Sequence, residues 1–114
     1  MIGMAKTIVI NGEFLGRGND ELGDKLMRSF LRTLLSAEKK PDKLVFYNSG
    51  VKLLAEGSSA LDVLNELNGH GVMLVACGTC VGFYNLDDKI SRERVSNMQE
   101  IVKILMDSES VVTV

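Results

Sequence analysis

The chain has 114 residues, the usual length of one domain, and we expect a single domain over residues 1–114. Thirteen basic and fifteen acidic residues leave a net charge of −2, which argues against nucleic-acid binding because that binding needs a basic face. Two cysteines and one histidine exclude a disulfide-rich secreted scaffold and a four-ligand zinc site of the Cys/His type. No apolar run approaches the length of a membrane helix and no signal-peptide pattern is present, so we expect a cytoplasmic protein with no membrane partner.

The first half of the chain alternates between strand and helix patterns. The β-branched run Lys6–Ile10 predicts a buried strand, and a glycine-rich loop, Gly12–Gly18, follows it. A second short strand is predicted over Lys43–Tyr47 and a helical turn over Val51–Glu56. Between the two strands, apolar residues at a spacing of three and four predict an amphipathic helix over 20–37. Its predicted apolar stripe holds Leu22, Leu26, Met27, Phe30, Leu31, Leu34 and Leu35.

The second half repeats this alternation. The predicted elements, in chain order, are a helix that carries Leu61, Leu64 and Leu67 and ends near Gly69, a strand over Val72–Ala76, a short helix or turn over Val81–Leu86, a final helix and a last strand over Val111–Val114. The polar interval 87–95 allows one more short strand near Arg94 and Val95. Ser96–Gln99 has the spacing of a capping box, and the helix that it opens is predicted to bury Met98, Ile101, Val102 and Leu105.

Alternating strands and helices are typical of an α/β fold with a mostly parallel sheet and helices on both faces. In such folds, ligands bind outside the carboxyl ends of the strands. Three loops leave those ends in this chain, over residues 11–19, 48–52 and 77–80. We therefore expect these loops to meet at one edge of the sheet and to form the functional site there.

The sharpest motif is Cys77-Gly-Thr-Cys80, which directly follows the third predicted strand. A helix that starts there would favour the thiolate form of Cys77, because its first backbone N–H groups lack partners. Cys80 lies about one helical turn further on, so the pair can attack, carry and resolve a sulfur species. The alternatives are two small buried hydrophobic side chains and a metal site, for which His70, at the opposite end of the sheet, is a poor third ligand.

Five further residues on the same loops are candidates for substrate binding. Gly78 permits a tight turn and the close approach of a substrate, and Thr79 lies beside it. Arg17 offers a cation to an anionic sulfur or selenium group if the glycine-rich loop acts as a flexible lid, and a plain mobile loop is the alternative. Asn48 and Ser49 can donate hydrogen bonds, although these residue types also suit an ordinary turn. The glycine spacing fits neither a dinucleotide fingerprint nor a P-loop, so no nucleotide cofactor is expected.

Several segments together resemble one protein family. They are Gly16–Gly23 with the helix that follows to Leu34, Phe46–Leu53 with Glu56–Ser58, Gly71–Cys80, and Val95–Met98. In combination they are similar to the DsrE-like domain of YedF-type proteins, which are described as sulfurtransferase-like and linked to selenium metabolism. The resemblance implies a three-layer α/β/α sandwich around a five-stranded, mostly parallel sheet of the DsrE/DsrF-like type, often in a homo-oligomer.

The resemblance also implies roles for the two cysteines. In related sulfur-relay proteins a cysteine after the third strand accepts a persulfide, and that position corresponds to Cys77, whereas Cys80 belongs to the narrower CGTC pattern. YedF-type proteins commonly carry a TusA-like domain with a Cys-Pro motif, and this sequence contains no Cys-Pro. A sulfur or selenium donor or acceptor protein, for instance a TusA-like one, is therefore the expected partner.

The leading hypothesis is a sulfurtransferase-like carrier of sulfur or selenium. Cys77 would accept sulfane sulfur as a persulfide, and Cys80 would release it through a transient disulfide or hold it as a second carrier. The first alternative is a non-catalytic oligomeric module that binds a small ligand or a protein, and the second is a dithiol oxidoreductase. All three hypotheses require neither a cofactor nor a metal.

Overall fold

Five short strands form one sheet in the computed structural model, which describes residues 5–114. All neighbouring strands are parallel, and the two central strand pairings place Val45 beside Val9 and Val75. Near-continuous apolar runs are typical of parallel strands that are buried on both faces. The strands are β1 Lys6–Ile10, β2 Lys43–Phe46, β3 Met73–Cys77, β4 Val95–Ser96 and β5 Ser110–Thr113, and their order in the sheet is β4-β3-β2-β1-β5.

Helical segments fill the connections between these strands. They are α1 Asp20–Ser36, α2 Leu61–Gly69, α3 Gly78–Phe83 and α4 Met98–Asp107, with two 3₁₀ segments over Asn48–Leu54 and Arg92–Arg94. The helix α1 begins where the side chain of Asn19 accepts a hydrogen bond from the N–H of Leu22, at 2.8 Å. Within residues 5–114, every helix is too short or too polar to cross a membrane.

The strand order explains why the helices form two layers. From β1 to β4 the chain steps in one direction across the sheet, and right-handed connections place α1, α2 and α3 on the same face. The last connection returns across the sheet from β4 to β5, so the same handedness places α4 on the opposite face. The predicted three-layer α/β/α architecture is confirmed, and the sheet is parallel throughout rather than mostly parallel.

Each face of the sheet has its own core. Phe46, Leu31 and Leu64 are fully buried on the face that α1 and α2 cover. Val45 and Ile101 are buried on the α4 face. Burial of a side chain of this size contributes about 1.5–3 kcal/mol, so the two cores hold the strand ends in fixed positions.

Two predicted helix faces are only partly right. In α1, Met27 and Leu31 are buried, whereas Leu22 and Leu26 are exposed, because the helix turns a narrower stripe toward the sheet than the spacing suggested. In α4 the buried residues are Ile101 and Ile104, and the predicted core positions Met98 and Val102 are half-exposed.

The start of α4 also differs from the prediction. Its N-cap is Asn97, whose side-chain oxygen accepts the N–H of Glu100 at 2.8 Å, whereas the capping-box spacing had assigned this position to Ser96. Ser96 is instead the last residue of β4. The strand therefore extends one residue further than the sequence pattern suggested, and the helix starts correspondingly later.

Candidate functional site

The carboxyl ends of β1, β2 and β3 lie side by side, so the three predicted loops do meet at one edge of the sheet. The β3–α3 turn forms the centre of this edge. Cys77 is the last residue of β3 and the N-cap of α3, and Gly78 is the first helical residue. A Cβ on Gly78 would lie 2.6 Å from the carbonyl oxygen of Ser96, so β4 passes too close for any larger residue.

The two cysteines of the motif face different surroundings. Cys77 is 1% exposed and packs with Val75 and Ile101 on the α4 face. Cys80 is partly exposed and contacts both cores. Both thiols are free. A reagent that approaches from solvent therefore reaches the sulfur of Cys80 before it reaches that of Cys77.

Cys80 opens into a cavity of about 270 Å³, which we call the Cys80 cavity. Asn48 and Thr79, both predicted site residues, line it together with Phe83 and Tyr84, which the sequence reasoning missed. The two aromatic rings meet edge to face with their centroids 5.2 Å apart. Their positions three and four residues after Cys80 are the helical spacing that could have identified them.

Asn48 holds the sulfur of Cys80 from the neighbouring loop. Its backbone N–H donates a hydrogen bond to the Cys80 Sγ at 3.0 Å. Its side-chain oxygen accepts from the N–H of Ser49 at 2.9 Å and from the Tyr84 hydroxyl at 3.1 Å. The backbone φ of Asn48 is +52°, a left-handed conformation that asparagine tolerates better than most residues. These contacts keep the N–H directed at the thiol.

A charged pair supports the same loop from the other side. Lys52 Nζ lies 3.4 Å from a carboxylate oxygen of Glu13 and 4.5 Å from the centre of the Tyr84 ring. The N–H of Glu13 donates to the Ser49 hydroxyl at 3.2 Å. Ser49 therefore ties the loop after β1 to the loop after β2, which is a structural contact at a position predicted for substrate binding.

The glycine-rich loop forms a second cavity, of about 460 Å³, which we call the Arg17 cavity. Arg17 lines it together with Glu13 on one side and Tyr47, Asn48 and Ser49 on the other. Asn48 also lines the Cys80 cavity, so the two cavities meet at this residue. The predicted cation thus lies at the same edge as the cysteines, but in the neighbouring cavity.

The lower part of this loop is anchored. The N–H of Leu15 donates to the carbonyl oxygen of Gly23 at 3.1 Å. A Cβ on Gly23 would lie 2.7 Å from the Cβ of Phe14, so the loop packs directly on the first turns of α1. The exposed tip, Gly16–Gly18, carries Arg17 between two glycines with positive φ. The flexible lid that the sequence predicted for the whole glycine-rich loop is therefore limited to the tip, Gly16–Gly18.

Residues 5–114 contain no cluster of three histidine, cysteine, aspartate or glutamate side chains that could hold an ion. His70 is exposed at the end of α2, as the sequence predicted.

The model of the DsrE/DsrF-like family matches residues 14–114. The chain belongs to this family. The match does not distinguish the YedF-type subgroup from other members. No protein with a curated function matches the chain.

Solved structures share the same fold over nearly the whole chain. The MTH1491 protein of Methanobacterium thermoautotrophicum, described as a protein of unknown function, has a TM-score of 0.70 at 23% identity and matches 96% of this chain and 98% of its own. The ychN protein of E. coli has a TM-score of 0.68 at 17% identity, with 97% and 99% covered. BT1422 of Bacteroides thetaiotaomicron has a TM-score of 0.64 at 14% identity, with 96% and 94% covered.

Within this family fold, the surroundings of Cys80 disfavour its charged form. Burial raises the pKa of the Cys80 thiol, the backbone N–H of Asn48 opposes that shift, and the neighbouring Cys77 raises the pKa further through a hydrogen bond and through its charge. The net pKa lies above the ordinary thiol value. The thiol that faces the cavity is therefore mainly protonated at neutral pH.

We expect this raised pKa to appear in the reaction of Cys80 with iodoacetamide. The rate should rise with pH and reach its midpoint above the ordinary ~8.5 of a free cysteine, because only the thiolate reacts. The measurement is the rate of modification of the Cys80 peptide by mass spectrometry. In Cys77→Ala the midpoint should move to lower pH, because one cause of the shift is removed. A midpoint below the ordinary value would contradict this reading of the site.

Proposed function

We propose that this chain is a sulfurtransferase-like carrier that holds sulfane sulfur on Cys80 and relays it to a partner. The observation that supports this proposal best is the Cys80 thiol, partly exposed in a cavity at the ligand edge, with a backbone N–H 3.0 Å from its sulfur and the thiol of Cys77 beside it. Membership of the DsrE/DsrF-like family supports the same class of chemistry. A selenium cargo would need the same thiol.

The loading step transfers one sulfur atom without net oxidation. The thiolate of Cys80 attacks the outer sulfur of a donor persulfide, a new S–S bond forms on Cys80, and the S–S bond of the donor breaks. The donor leaves as a thiolate and takes up the proton that Cys80 lost. The N–H of Asn48 stabilises negative charge on the Cys80 sulfur during this exchange.

This proposal reverses the order that the sequence predicted for the two cysteines. Cys77 is buried, so we assign it the later, internal step, in which its thiolate attacks the Cys80 sulfur, releases sulfide and forms a Cys77–Cys80 disulfide. A thiol reductant must then restore both cysteines. Transfer of the outer sulfur to a partner thiol needs no such reductant, because the Cys80 thiolate is regenerated directly.

Incubation with a persulfide donor followed by intact-mass measurement tests the proposal. The wild-type chain should gain the mass of one sulfur atom, and dithiothreitol should remove it. The internal step would convert this adduct into a Cys77–Cys80 disulfide, so Cys77→Ala is measured beside the wild type. The absence of the adduct from both proteins at a donor excess would contradict the carrier function.

The raised pKa of Cys80 favours a second candidate, a non-catalytic module that binds a small ligand or a protein. In that case the thiol would react slowly with iodoacetamide and with persulfide donors alike. In a carrier, by contrast, the cavity positions the persulfide donor beside Cys80. Cys80 should then react with the donor faster than its slow reaction with iodoacetamide would lead one to expect. The ratio of the two rates, compared with that of free cysteine, separates the candidates.

The partners follow from the same chemistry. We propose that the donor or acceptor is a protein or small molecule that presents a persulfide or thiol, with a TusA-like protein as the first to test. The exposed Phe83, 78% accessible beside Cys80, offers an apolar contact to a protein partner.

We also propose that the chain self-associates through the edge strand β5. This strand consists of uncharged residues, and Val111 and Val112 remain 42% and 51% exposed on its two faces. Such an edge is a template for pairing with a second copy. We expect Val112→Lys to lower the sedimentation coefficient to that of a monomer, with Val102→Lys on α4 as the matched control. A wild-type chain whose sedimentation coefficient stays that of a monomer at every protein concentration tested would contradict the proposal.

A further inference from the structure

The two cavities at the ligand edge differ in chemistry. Asn48, Thr79, Phe83 and Tyr84 surround Cys80 in the first cavity, and none of its lining residues in the described range 5–114 is charged. The second cavity contains one cation and one carboxylate, on Arg17 and Glu13. Asn48 lines both cavities, so they lie side by side, and a ligand that reached across Asn48 would contact both Cys80 and Arg17.

The charges of the second cavity are not equivalent. The carboxylate of Glu13 is paired with Lys52 at 3.4 Å. Arg17 is exposed and forms no ion pair with any residue in the range 5–114. The cation that is available to a ligand is therefore Arg17, and a guanidinium binds carboxylates and phosphates through two parallel hydrogen bonds. Of these two anions, the carboxylate is the one that small organic thiols and their persulfides commonly carry.

The size of the site also restricts the ligand. The two adjacent cavities have volumes of about 270 and 460 Å³, close to and within the ~300–1,000 Å³ of typical small-molecule sites. This space suits a compact organic molecule with a reactive sulfur at one end and an anion at the other.

We infer that Cys80 is loaded by a low-molecular-weight persulfide whose carboxylate binds Arg17 while its persulfide lies in the Cys80 cavity. This inference rests on the proposed function and names the class of its donor. The outer sulfur passes to Cys80 and the S–S bond of the donor breaks. The remainder of the donor leaves as a small thiolate that carries the carboxylate, and this thiolate takes up the proton that Cys80 lost. Arg17 contributes to binding and does not take part in the exchange.

The test compares two donors with the same persulfide group, glutathione persulfide, which has two free carboxylates, and the persulfide of glutathione diethyl ester, in which neutral ethyl esters replace them. In the wild type, the second-order rate constant for the loading of Cys80 should be higher with the carboxylate donor. Arg17→Gln should lower this rate constant for the carboxylate donor by up to about fivefold, through weaker binding of the donor, and should lower it less for the ester. Arg92→Gln, which removes an equal charge from the exposed segment before β4, should leave the ratio of the two donors unchanged. Equal use of both donors by the wild type, or an unchanged preference in Arg17→Gln, would overturn the inference.

A second readout does not depend on sulfur transfer. S-methylglutathione carries the same carboxylates but no transferable sulfur, and it should slow the alkylation of Cys80 by iodoacetamide in the wild type more than in Arg17→Gln. Protection that depends on Arg17 without any loading would support the binding site and reject the carrier function. Loading without such protection would support the carrier and reject a small carboxylate donor.

Discussion

Replacement of Cys80 by serine is expected to reduce sulfur loading from a persulfide donor to background. A serine hydroxyl remains protonated at any accessible pH and cannot form the S–S bond on which the carrier depends. The substitution is nearly isosteric, and the side chain is only partly buried, so the fold should persist. Intact-mass measurement after incubation with the donor gives the fraction of the chain that carries one extra sulfur atom.

Cys77→Ala is the matched variant in the same motif. It should still load, because the first step occurs at Cys80, but it should no longer release sulfide or form the internal disulfide. The persulfide on Cys80 should therefore live longer than in the wild type. Loading that persists in Cys80→Ser and disappears in Cys77→Ala would instead restore the order of the two cysteines that the sequence predicted.

Cys77 is buried because of its position in β3, which cannot be read from the Cys77-Gly-Thr-Cys80 motif alone. Side chains alternate along a strand, so Cys77 points to the same face as Val75. That face is covered by α4, and Ile101 of this helix packs there. Cys80 lies beyond the strand, on a helical turn, and contacts both cores as well as the cavity. The spacing of the two cysteines predicted a reactive pair. Which of the two is buried depends on α4, because the last crossover places this helix over the face to which Cys77 points.

Most of the fold could be predicted from sequence because the strands are short, β-branched and separated by clear turn residues. The boundaries of α1, α2 and the three central strands agree to within one residue or so. The polar interval before β4 was harder, since a strand of two residues, Val95–Ser96, carries almost no periodic signal. Its position is fixed by pairing with Ala76 and Cys77, a contact between distant parts of the chain.

The candidate site was predictable in its location and less so in its contacts. Parallel strands bring the three loops together, which is a consequence of topology and was visible in the sequence pattern. The hydrogen bond from Asn48 to Cys80 requires a left-handed φ at Asn48, and the salt bridge between Lys52 and Glu13 joins loops 39 residues apart. Interactions of this kind depend on the packed structure and leave no spacing rule in the chain.

Gly50 is the residue that sets the distance between two of these loops. A Cβ at this position would lie 2.3 Å from the carbonyl oxygen of Ile10 and 3.2 Å from the amide nitrogen of Gly12. Both are backbone atoms, and the Ile10 carbonyl already accepts the N–H of Tyr47 at 3.3 Å. A side chain at Gly50 must therefore separate the end of β1 from the 3₁₀ segment that follows β2.

We accordingly expect Gly50→Ala to lower the free energy of unfolding by about 2–3 kcal/mol, toward the upper end of typical overpacking costs, because backbone atoms cannot rotate away. Gly69→Ala is the control: a Cβ there meets no atom within 4 Å, and the change should be neutral or slightly stabilising. Urea unfolding of both variants provides the comparison. Since Asn48 lies two residues before Gly50, the same displacement should weaken its hydrogen bond to Cys80 and raise the midpoint of the alkylation profile. Equal stability of the two variants would show that the loops separate without cost and do not hold the thiol in place.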